Sequence, residues 1–593
     1  MFQATKLKRL IFFLLADTII FIASIYIAYL LRFSGNIPEI YYQGLFITMI
    51  FLVGLKLSFM WMFKIYKVPW RFFGLNEARK IFLAHICATV IFSVVYFIIQ
   101  DYLKPYPQSV VSIDLLISCL MVGALRISKR MFLDFSNKPH KGEPCIVFGA
   151  TTKAIHVLNG LKQGYLDFYA VGVVDGRSDL IGTYCDGFLV QDKDEIPTII
   201  KEYNVKTAII ALALNQDDLQ VVFDELTRYG IRDVKLFSLV EKDPIKDISI
   251  EDLLARKPKD LNPEIIANFL KDKVALVTGA GGSIGSEICK QCLKYGVKQL
   301  IMVEHSEFNL YKIAEDTHDS RTVSRLVNIT NEQDFESIFE EFKPQIVIHA
   351  AAYKHVPLCE LNPRSAVENN IVGTKNVIDF SKKHGVKKVV MISSDKAVRP
   401  TNIMGTTKRV CELYALNSNE QGVCEIVCVR FGNVLGSSGS VIPKFKAQIA
   451  ANKPLSVTHP DITRYFMLTS EACQLVLQAA SIAKGGELFV LDMGEPVKIV
   501  DLAKKMLLLS NKEHLGIEFV GLRTGEKLYE ELLINKDDAQ TKFESIFVTH
   551  SEPYDLELLN KQISELLTLE GDKVAAALKN IVPEFNHALN LKG

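Results

Sequence analysis

Four long apolar runs, separated by short polar stretches, dominate the first 130 residues. The runs occupy residues 10–31, 43–63, 81–100 and 109–125. A helix needs roughly 20 apolar residues to cross a bilayer, and the fourth run is slightly shorter than that. The pattern therefore predicts a membrane anchor of four helices over residues 1–130. The first run lacks a small-residue cleavage site, so we interpret it as a span and not as a signal peptide.

Basic residues are distributed unevenly around these runs. Three precede the first run, five lie between the second and third, and five follow the fourth, whereas the other two loops have one each. Lys and Arg favour the cytoplasmic side, so both ends and everything after residue 126 are predicted to be cytoplasmic. Asp17 in the first run and Lys56 in the second are charges at membrane depth. We expect them to pair, because an unpaired charge at that depth costs on the order of a few kcal/mol. The alternative is an ion or substrate path.

Beyond residue 140, short apolar runs alternate with helical patterns. The runs at 145–150, 169–175 and 207–214 predict a Rossmann-like domain of CoA-binding type over residues 140–245. Its glycine pattern is degenerate, because Gly149 is not followed by GxxG. Nucleotide binding and a structural or regulatory role both remain open. Residues 246–272 are charged and predict a connector with one short helix, and residues 273–593 form a larger second α/β unit.

Composition changes this picture little. The 593 residues have a net charge of +1, so no global field indicates nucleic acid. Mean hydropathy is +0.18, and the apolar excess lies in the first 130 residues. Of eleven cysteines, only Cys289 and Cys292 form a CxxC, and no second pair completes a zinc site. We interpret them as packing residues and predict no metal. Reduced cysteines suit a cytoplasmic location.

The segment KVALVTGAGGSIGSEICKQCLKYG at 273–296 predicts a strand, a glycine turn and a helix. Gly279, Gly282 and Gly285 would let the backbone approach a pyrophosphate at the helix start. The next strand ends in Glu304, whose carboxylate can accept the ribose hydroxyls of NAD and would repel the 2′-phosphate of NADP. The predicted cofactor is therefore NAD, and NADP is the alternative, because His305 and Ser306 could accommodate its phosphate. The other predicted cofactor contacts are Ser283, Ile284, His305, Ser306, Asn328, Ile329, Ala350, Ala351, Ala352 and Lys408.

A further strand, at 387–393, leads into the polar residues Ser394, Asp395 and Lys396. In open α/β sheets the carboxyl ends of the strands face the ligand, so we expect these three side chains at the site. Lys408 lies on the following helical pattern, from which it would reach the nicotinamide ribose.

Six segments together carry a family resemblance: TGAGGSIG, HAAAYKHVP, ISSDKAVRPTNIMGTTKR, RFGNVLGSSGSVIPKF, HPDITRYFM and RTGEKLYEEL. They resemble the membrane-bound UDP-N-acetylglucosamine 4,6-dehydratases, which are extended short-chain dehydrogenases of capsule and protein-glycosylation pathways. The resemblance covers essentially the whole chain and is greatest with the enzymes that begin bacillosamine synthesis in bacterial N-linked glycosylation. It implies an α/β enzyme with a small C-terminal substrate subdomain, an inner-membrane location and a homodimer or larger oligomer.

The reaction implied by the resemblance removes water from the sugar. A hydride leaves C4, the resulting ketone acidifies the C5 proton, water is lost from C6, and the hydride returns to C6. The resemblance assigns Asp395 as the acid for the C6 hydroxyl and Lys396 as the base at C5. Lys396 must then be neutral, and we expect burial beside Lys408 or the oxidised nicotinamide to lower its pKa.

Met404 stands where soluble relatives have the tyrosine that takes the C4 hydroxyl proton. A thioether cannot accept that proton. Ser394 replaces the family's usual threonine and keeps the hydroxyl, so a relay through Ser394 to Asp395 or to water is possible.

The resemblance also implies substrate contacts. Arg464 and Arg523 would bind the diphosphate, because arginine binds such oxygens bidentately, and Glu526 would bind a ribose hydroxyl. The remaining implied substrate residues are Lys354, His355, Asn433, Val441, Pro443 and Lys444. Without the resemblance, Arg523 and Glu526 would be interpreted as a surface ion pair. The competing classes are an epimerase or oxidoreductase on the same scaffold, and an anchored UDP-sugar sensor without turnover.

Overall fold

The structure is a computed structural model. It describes residues 6–68, 73–99, 107–135, 142–164, 166–238, 245–254, 261–532, 539–550 and 553–587. The chain divides into two compact units, Met1–Lys141 and Gly142–Gly593.

The first unit contains four long helices. They are α1 (Lys6–Arg32), α2 (Tyr42–Met62), α3 (Leu75–Ile99) and α4 (Ser109–Phe135). Each contains a stretch long and apolar enough to cross a membrane. Large apolar side chains such as Ile19, Phe97 and Leu120 are exposed on the outside of this unit, as contact with lipid requires. The loop charges at residues 69–72, 100–106 and 136–141 lie outside the described residues.

The predicted pairing of Asp17 with Lys56 is wrong. Arg126 Nη2 donates to the Asp17 carboxylate at 2.6 Å, and Lys56 donates to Asp114 and, at 2.8 Å, to Ser118 Oγ. The sequence interpretation overlooked Asp114 in the fourth run and counted Arg126 as a loop residue, whereas α4 extends beyond it. Two buried ion pairs therefore connect α4 to α1 and to α2.

The second unit begins with a seven-stranded sheet. Its strands are β1 (Glu143–Phe148), β2 (Phe168–Asp175), β3 (Tyr184–Cys185), β4 (Phe188–Asp192), β5 (Thr207–Ile210), β6 (Asp233–Phe237) and β7 (Ile245–Asp247), and its helices are α5 (Thr152–Lys162), α6 (Ile196–Tyr203) and α7 (Gln216–Arg228). The order is β3-β4-β2-β1-β5-β6-β7, parallel in the centre and antiparallel at both edges. The alternating pattern thus forms the expected Rossmann-like sheet.

The segment 246–272 contains more structure than the single helix predicted there. Strand β7 closes the first sheet, and helices α8 (Ile250–Leu254) and α9 (Pro263–Leu270) follow. Ile266 and Leu270 of α9 are fully buried in the core of the next sheet. The apolar spacing within PEIIANFL was obscured by the charged residues around it.

The remaining strands are β8 (Val274–Thr278), β9 (Gln299–Glu304), β10 (Thr322–Leu326), β11 (Ile346–His349), β12 (Lys388–Ile392), β13 (Glu425–Arg430), β14 (Asn433–Val434), β15 (Leu455–Val457), β16 (Thr463–Arg464), β17 (Phe466–Met467), β18 (Glu487–Leu491), β19 (Val497–Lys498), β20 (Ile517–Phe519), β21 (Ala539–Gln540) and β22 (Ile546–His550). The remaining helices are α10 (Ser283–Lys294), α11 (Glu307–Thr317), α12 (Glu332–Phe342), α13 (Val356–Leu361), α14 (Pro363–Ala366), α15 (Gly373–Lys383), α16 (Ile403–Asn417), α17 (Val441–Ala450), α18 (Thr469–Ile482), α19 (Ile499–Leu509), α20 (Leu556–Leu566) and α21 (Asp572–Ile581).

Nine of these strands form the second sheet, in the order β10-β9-β8-β11-β12-β13-β18-β22-β21. The first seven are parallel, and β22 and β21 add antiparallel edges. Apolar cores cover both faces of the sheet, which explains why strands such as β8 are continuous apolar runs. The order of the strands along the sheet reverses between β8 and β11, so ligands are expected at the carboxyl ends of these two parallel strands.

Candidate active site

The turn between β8 and α10 is built from glycines because nothing larger fits. Gly279 has φ +65°, and a Cβ there would lie 2.8 Å from Ala351 Cα. A Cβ at Gly285 would lie 2.0 Å from the Gly279 carbonyl oxygen. Gly282 caps α10 without a side chain, so the first N–H groups of the helix remain accessible to a ligand.

Glu304 ends β9 beside this turn, as the sequence predicts. Its carboxylate accepts hydrogen bonds from Gly281 N at 3.1 Å and from the backbone N–H groups of His305 and Ser306 at 3.0 and 3.1 Å. The side chain is buried, whereas His305 is more than half exposed. A buried carboxylate fixed by backbone donors at this strand end is suited to accept ribose hydroxyls.

A cleft of about 760 Å³ opens along the carboxyl ends of β8, β11 and β12. It brings together many of the predicted residues: Gly282, Ser283, Ile284, Gly285, Ala350, Ala352, Lys354, His355, Ser394, Lys396, Met404, Lys408 and Asn433. The structure also adds Tyr353, Asn309, Phe431 and the loop Ser437–Ser440 to its walls. Ser438 N donates to Ser283 Oγ at 3.1 Å, so this loop meets the glycine turn.

Other predicted contacts lie away from the cleft wall. Ile329 is buried and packs so closely on Gly373 that a Cβ added to that glycine would lie 2.6 Å from the Ile329 side chain. Asn328 Oδ1 accepts a hydrogen bond from Thr330 N at 3.1 Å. Ala351 packs beneath Gly279. The members of the predicted set that do not line the cleft are Gly279, Glu304, His305, Ser306, Asn328, Ile329, Ala351, Asp395, Val441, Pro443, Lys444, Arg464, Arg523 and Glu526.

The polar turn after β12 forms one connected group. Ser394 Oγ donates to Asp395 Oδ1 at 2.9 Å, and Lys396 Nζ donates to the same oxygen at 3.0 Å. Asp395 is almost fully buried, and among the described residues its second oxygen, Oδ2, has no hydrogen-bond partner. A carboxylate and an ammonium therefore lie side by side at the cleft.

The charge of Lys396 differs from the sequence expectation. Burial alone would lower the pKa of this ammonium, but the negative charges of Asp395 and Glu530 outweigh burial and raise the pKa above its ordinary value. The prediction of a lowered Lys396 pKa is therefore wrong for the protein without ligands. The prediction did not include Glu530, whose carboxylate lies 3.4 Å from Lys396 Nζ.

Helix α16 packs tightly against this turn. A Cβ at Gly405 would lie 2.1 Å from the Lys396 carbonyl oxygen, so only glycine allows the approach. Met404 is buried and contributes to the cleft wall. Lys408 Nζ donates to the Ile392 carbonyl at 2.6 Å, which holds it at the end of β12.

Two buried polar residues that the sequence did not reveal support the cleft. Asn370 Oδ1 accepts from Tyr353 N at 2.7 Å, and its Nδ2 donates to Thr407 Oγ1 at 3.0 Å, which connects the loop after β11 to α16. His349 is hydrogen-bonded to Thr278 and Thr374 at 2.7 and 2.9 Å. Burial and the Lys408 charge lower the pKa of His349 to about 3, so it is neutral.

The predicted substrate arginines differ in their surroundings. Arg464 is buried, and its guanidinium donates to Glu526 Oε1 at 3.3 Å. The Arg523 backbone N, not its side chain, donates to Glu526 at 3.2 Å. Lys444 lies in α17, and burial together with the Arg523 charge lowers its pKa. Cationic groups thus cluster around Glu526.

The segment 523–531 is bound to the loop 398–402, which follows the polar turn Ser394–Lys396. Thr401 Oγ1 and Asn402 Nδ2 both donate to the Gly525 carbonyl at 3.0 Å, and Lys527 Nζ donates to the Val398 carbonyl at 2.8 Å. Arg399 also pairs with Glu531 at 2.7 Å. The position of Glu530 follows from these contacts, and no local sequence signal reveals it.

This combination of sheet order, glycine turn, strand-end carboxylate and lysine-bearing helix defines an α/β protein of the extended short-chain dehydrogenase class. A family described as "Polysaccharide biosynthesis protein" matches residues 275–551. The chain is 38% identical over 580 residues to the capsular polysaccharide biosynthesis protein CapD of Staphylococcus aureus, covering 92% of this chain and 94% of that relative. It is 37% identical over 554 residues to the probable polysaccharide biosynthesis protein EpsC of Bacillus subtilis, covering 89% and 91%.

The chain therefore belongs to the polysaccharide biosynthesis protein family. Among solved structures it is similar to Pen from Bacillus thuringiensis, with 36% identity and a TM-score of 0.45, over 49% of this chain and 91% of that one.

Proposed function

We propose that this chain is a UDP-N-acetylglucosamine 4,6-dehydratase that uses NAD. The proposal rests chiefly on Asp395, which accepts hydrogen bonds from Ser394 and Lys396, two residues that line the cleft. Elimination across C5 and C6 needs an acid and a base next to each other, whereas epimerisation does not. An epimerase would also favour tyrosine at the position of Met404.

The residues around the glycine turn fit a dinucleotide. The turn excludes every side chain at Gly279 and Gly285, and Glu304 lies at the adjacent strand end. In the proposal the turn holds the pyrophosphate, Glu304 the adenosine ribose and Lys408 the nicotinamide ribose. When bound, the nicotinamide would supply the hydride chemistry at sugar C4 and C6.

The chain's own residues would move the protons. Ser394 would take the C4 hydroxyl proton and pass its own to Asp395, along the hydrogen bond of 2.9 Å. Asp395 would then protonate the C6 hydroxyl, which leaves as water. Lys396 would take the C5 proton and, as an ammonium whose protons exchange with solvent, return a proton to C5 after the hydride reaches C6. The proton from the C4 hydroxyl thus leaves in the water, and C5 regains a proton that carries the solvent's isotope.

The substrate's diphosphate would bind near Glu526. Lys444 and Arg523 place positive charge in this region, and the influence of Arg523 on the pKa of Lys444 supports their proximity. Arg464 would exchange its contact with Glu526 for a phosphate oxygen, and Glu526 would then be free to bind a ribose hydroxyl. Lys354, His355 and Asn433 would face the sugar.

The curated relatives are named for polysaccharide synthesis, and the resemblance to bacillosamine enzymes adds protein glycosylation as a destination for the product. A strain in which the gene is deleted would test this destination. If its glycoproteins lose their glycan while the capsule is retained, the role in protein glycosylation is supported. The four apolar helices would anchor the enzyme in the bacterial inner membrane, with the remaining chain in the cytoplasm.

The test is a product assay on the detergent-solubilised full chain. UDP-N-acetylglucosamine is incubated in deuterium oxide and followed by NMR and mass spectrometry, with Asp395→Asn as the inactive control. A 4-keto-6-deoxy sugar with deuterium at C5 supports the proposal. A C4 epimer would instead identify an epimerase, and unchanged substrate with NAD bound would favour a sensor.

A further inference from the structure

Glu530 is a buried carboxylate beside the proposed base. Its Oε1 lies 3.4 Å from Lys396 Nζ, and its side chain is only 3% exposed. Among the described residues, Glu530 Oε2 has no hydrogen-bond partner. In the part of the chain that the structure describes, Asp395 and Glu530 are the two carboxylates that pair with Lys396.

The proton balance of the proposed reaction requires an acceptor for a proton from Lys396. With two carboxylates beside it, Lys396 is an ammonium before catalysis and cannot take the C5 proton. Asp395 is not available, because it receives the C4 hydroxyl proton through Ser394. We infer that Glu530 is a positioning residue that accepts and stores the Lys396 proton while Lys396 acts as the base. This inference rests on the proposed dehydratase function.

The transfer conserves atoms and charge. The Lys396 ammonium and the Glu530 carboxylate become a neutral amine and a carboxylic acid. The amine then takes the C5 proton and later, as an ammonium, returns a proton to C5. Finally Glu530 gives the stored proton back to Lys396, which restores the original ion pair. The cycle takes up no net proton from bulk solvent, and no co-reactant is needed.

The charges around Lys396 favour such a transfer once the site is occupied. The positive charge of Arg464 acts against the ammonium of Lys396, and Lys396 in turn lowers the pKa of Lys354. Arg464 Nε also lies 3.8 Å from Glu530 Oε1 and stabilises that carboxylate, so Glu530 can take the proton once Arg464 turns to the substrate's phosphate. Asp395 and Glu530 act in the opposite direction. When Asp395 receives the C4 hydroxyl proton, one of the two negative charges that stabilise the Lys396 ammonium is lost. This is the stage at which Lys396 must act as the base at C5.

The kinetic test compares Glu530→Gln with the wild type as detergent-solubilised full chains between pH 6 and 10. The amide cannot store a proton, so Lys396 must lose its proton to solvent. We expect kcat at pH 7 to fall at least about tenfold while KM stays within about twofold, and kcat to rise by about tenfold per pH unit towards the Lys396 pKa. The wild type should lack this rise. Glu530→Asp should restore part of the activity at pH 7.

Glu531→Gln is the matched control. It removes the same charge one residue away, from a side chain that is 41% exposed and pairs with Arg399. This variant should keep the wild-type pH profile. An equal loss of kcat at every pH in Glu530→Gln would indicate a structural role only, and an unchanged kcat would also overturn the inference.

A labelling experiment separates this inference from the proposed function. Acetic anhydride modifies neutral amines, and mass spectrometry measures the pH midpoint of modification at Lys396. Glu530→Gln should move the midpoint to lower pH by about one unit or more, because an opposite charge is lost. Unchanged labelling overturns the inference. Shifted labelling with no sugar product from the wild type would refute the dehydratase proposal alone.

Discussion

Replacing Arg430 would test the buried charges beneath the proposed catalytic residues 394–396. Glu412, on α16, is completely buried and accepts hydrogen bonds from Arg430 Nε at 2.6 Å and Nη2 at 2.5 Å. Ser393 Oγ donates to it at 2.6 Å and Arg409 Nη1 at 3.2 Å. Because Ser393 directly precedes the proposed catalytic residues, this network supports both the core and the site.

The variant Arg430→Met would leave the Glu412 carboxylate buried without its bidentate partner. Breaking a buried pair from one side costs about 3–5 kcal/mol of unfolding free energy. Arg409 and Ser393 remain, so we expect a value near the lower limit, about 3 kcal/mol. At about 2.1 cal/mol/K per residue, residues 273–593 have an unfolding entropy of about 0.7 kcal/mol/K, so this loss corresponds to a fall in Tm of about 4–5 °C.

Thermal unfolding of the detergent-solubilised full chain, followed by near-UV circular dichroism, measures this change. The control is Glu412→Gln/Arg430→Met, which removes both charges and keeps a partner for Ser393. We expect the double variant to recover most of the lost stability, because no buried charge lacks its partner. A single variant within about 1 kcal/mol of the wild type, or a double variant as unstable as the single one, would refute the reasoning.

The same network predicts a pH dependence. Burial alone would raise the pKa of Glu412, but Arg430 and Arg409 outweigh burial and lower it below its ordinary value. A lowered carboxyl pKa stabilises the fold above the unfolded pKa of about 4.3, and this contribution is lost as the pH falls through the folded pKa. The stability difference between wild type and double variant should therefore be constant near neutral pH and change only in acid.

Three further predictions concern the catalytic turn and the anchor. Asp395→Asn should lower kcat by at least about 100-fold while NAD titration by fluorescence shows unchanged binding; retained turnover would remove Asp395 as the acid. Ser394→Ala should lower kcat about 10- to 100-fold and Ser394→Thr should not, and equal activity in both would exclude the relay. In the anchor, Asp114→Asn should reduce folded yield in detergent, measured by size-exclusion chromatography, and Asp114→Asn/Lys56→Met should restore it, because the lone buried Lys56 charge is removed. Equal yields from these two variants would contradict the Lys56–Asp114 pairing.

Continuous apolar runs made the second sheet predictable. The run at 387–393 predicts a strand that the structure places at Lys388–Ile392, and the run at 299–305 becomes Gln299–Glu304. Strands buried on both faces have no polar alternation to obscure them. Helix α9 was missed because its eight residues are flanked by charges. Besides its Asn262 cap, burial against the second sheet stabilises a helix that is too short to be stable alone.

The sequence by itself determined what depends on neighbours along the chain. The four long apolar helices, the glycine turn with Glu304, and the adjacent Asp395 and Lys396 are all local patterns, and their geometry follows from helix and strand periodicity. Those features were sufficient to predict the α/β fold, and the role of the site stays a prediction.

Only the tertiary structure decided which distant charges meet. Asp17 pairs with Arg126 and not with Lys56, although all three were visible in the sequence. Glu530 comes within 3.4 Å of Lys396 from a separate segment and reverses the expected direction of its pKa shift. A pKa depends on every charge within a few ångströms, and that set is defined by folding and not by spacing along the chain.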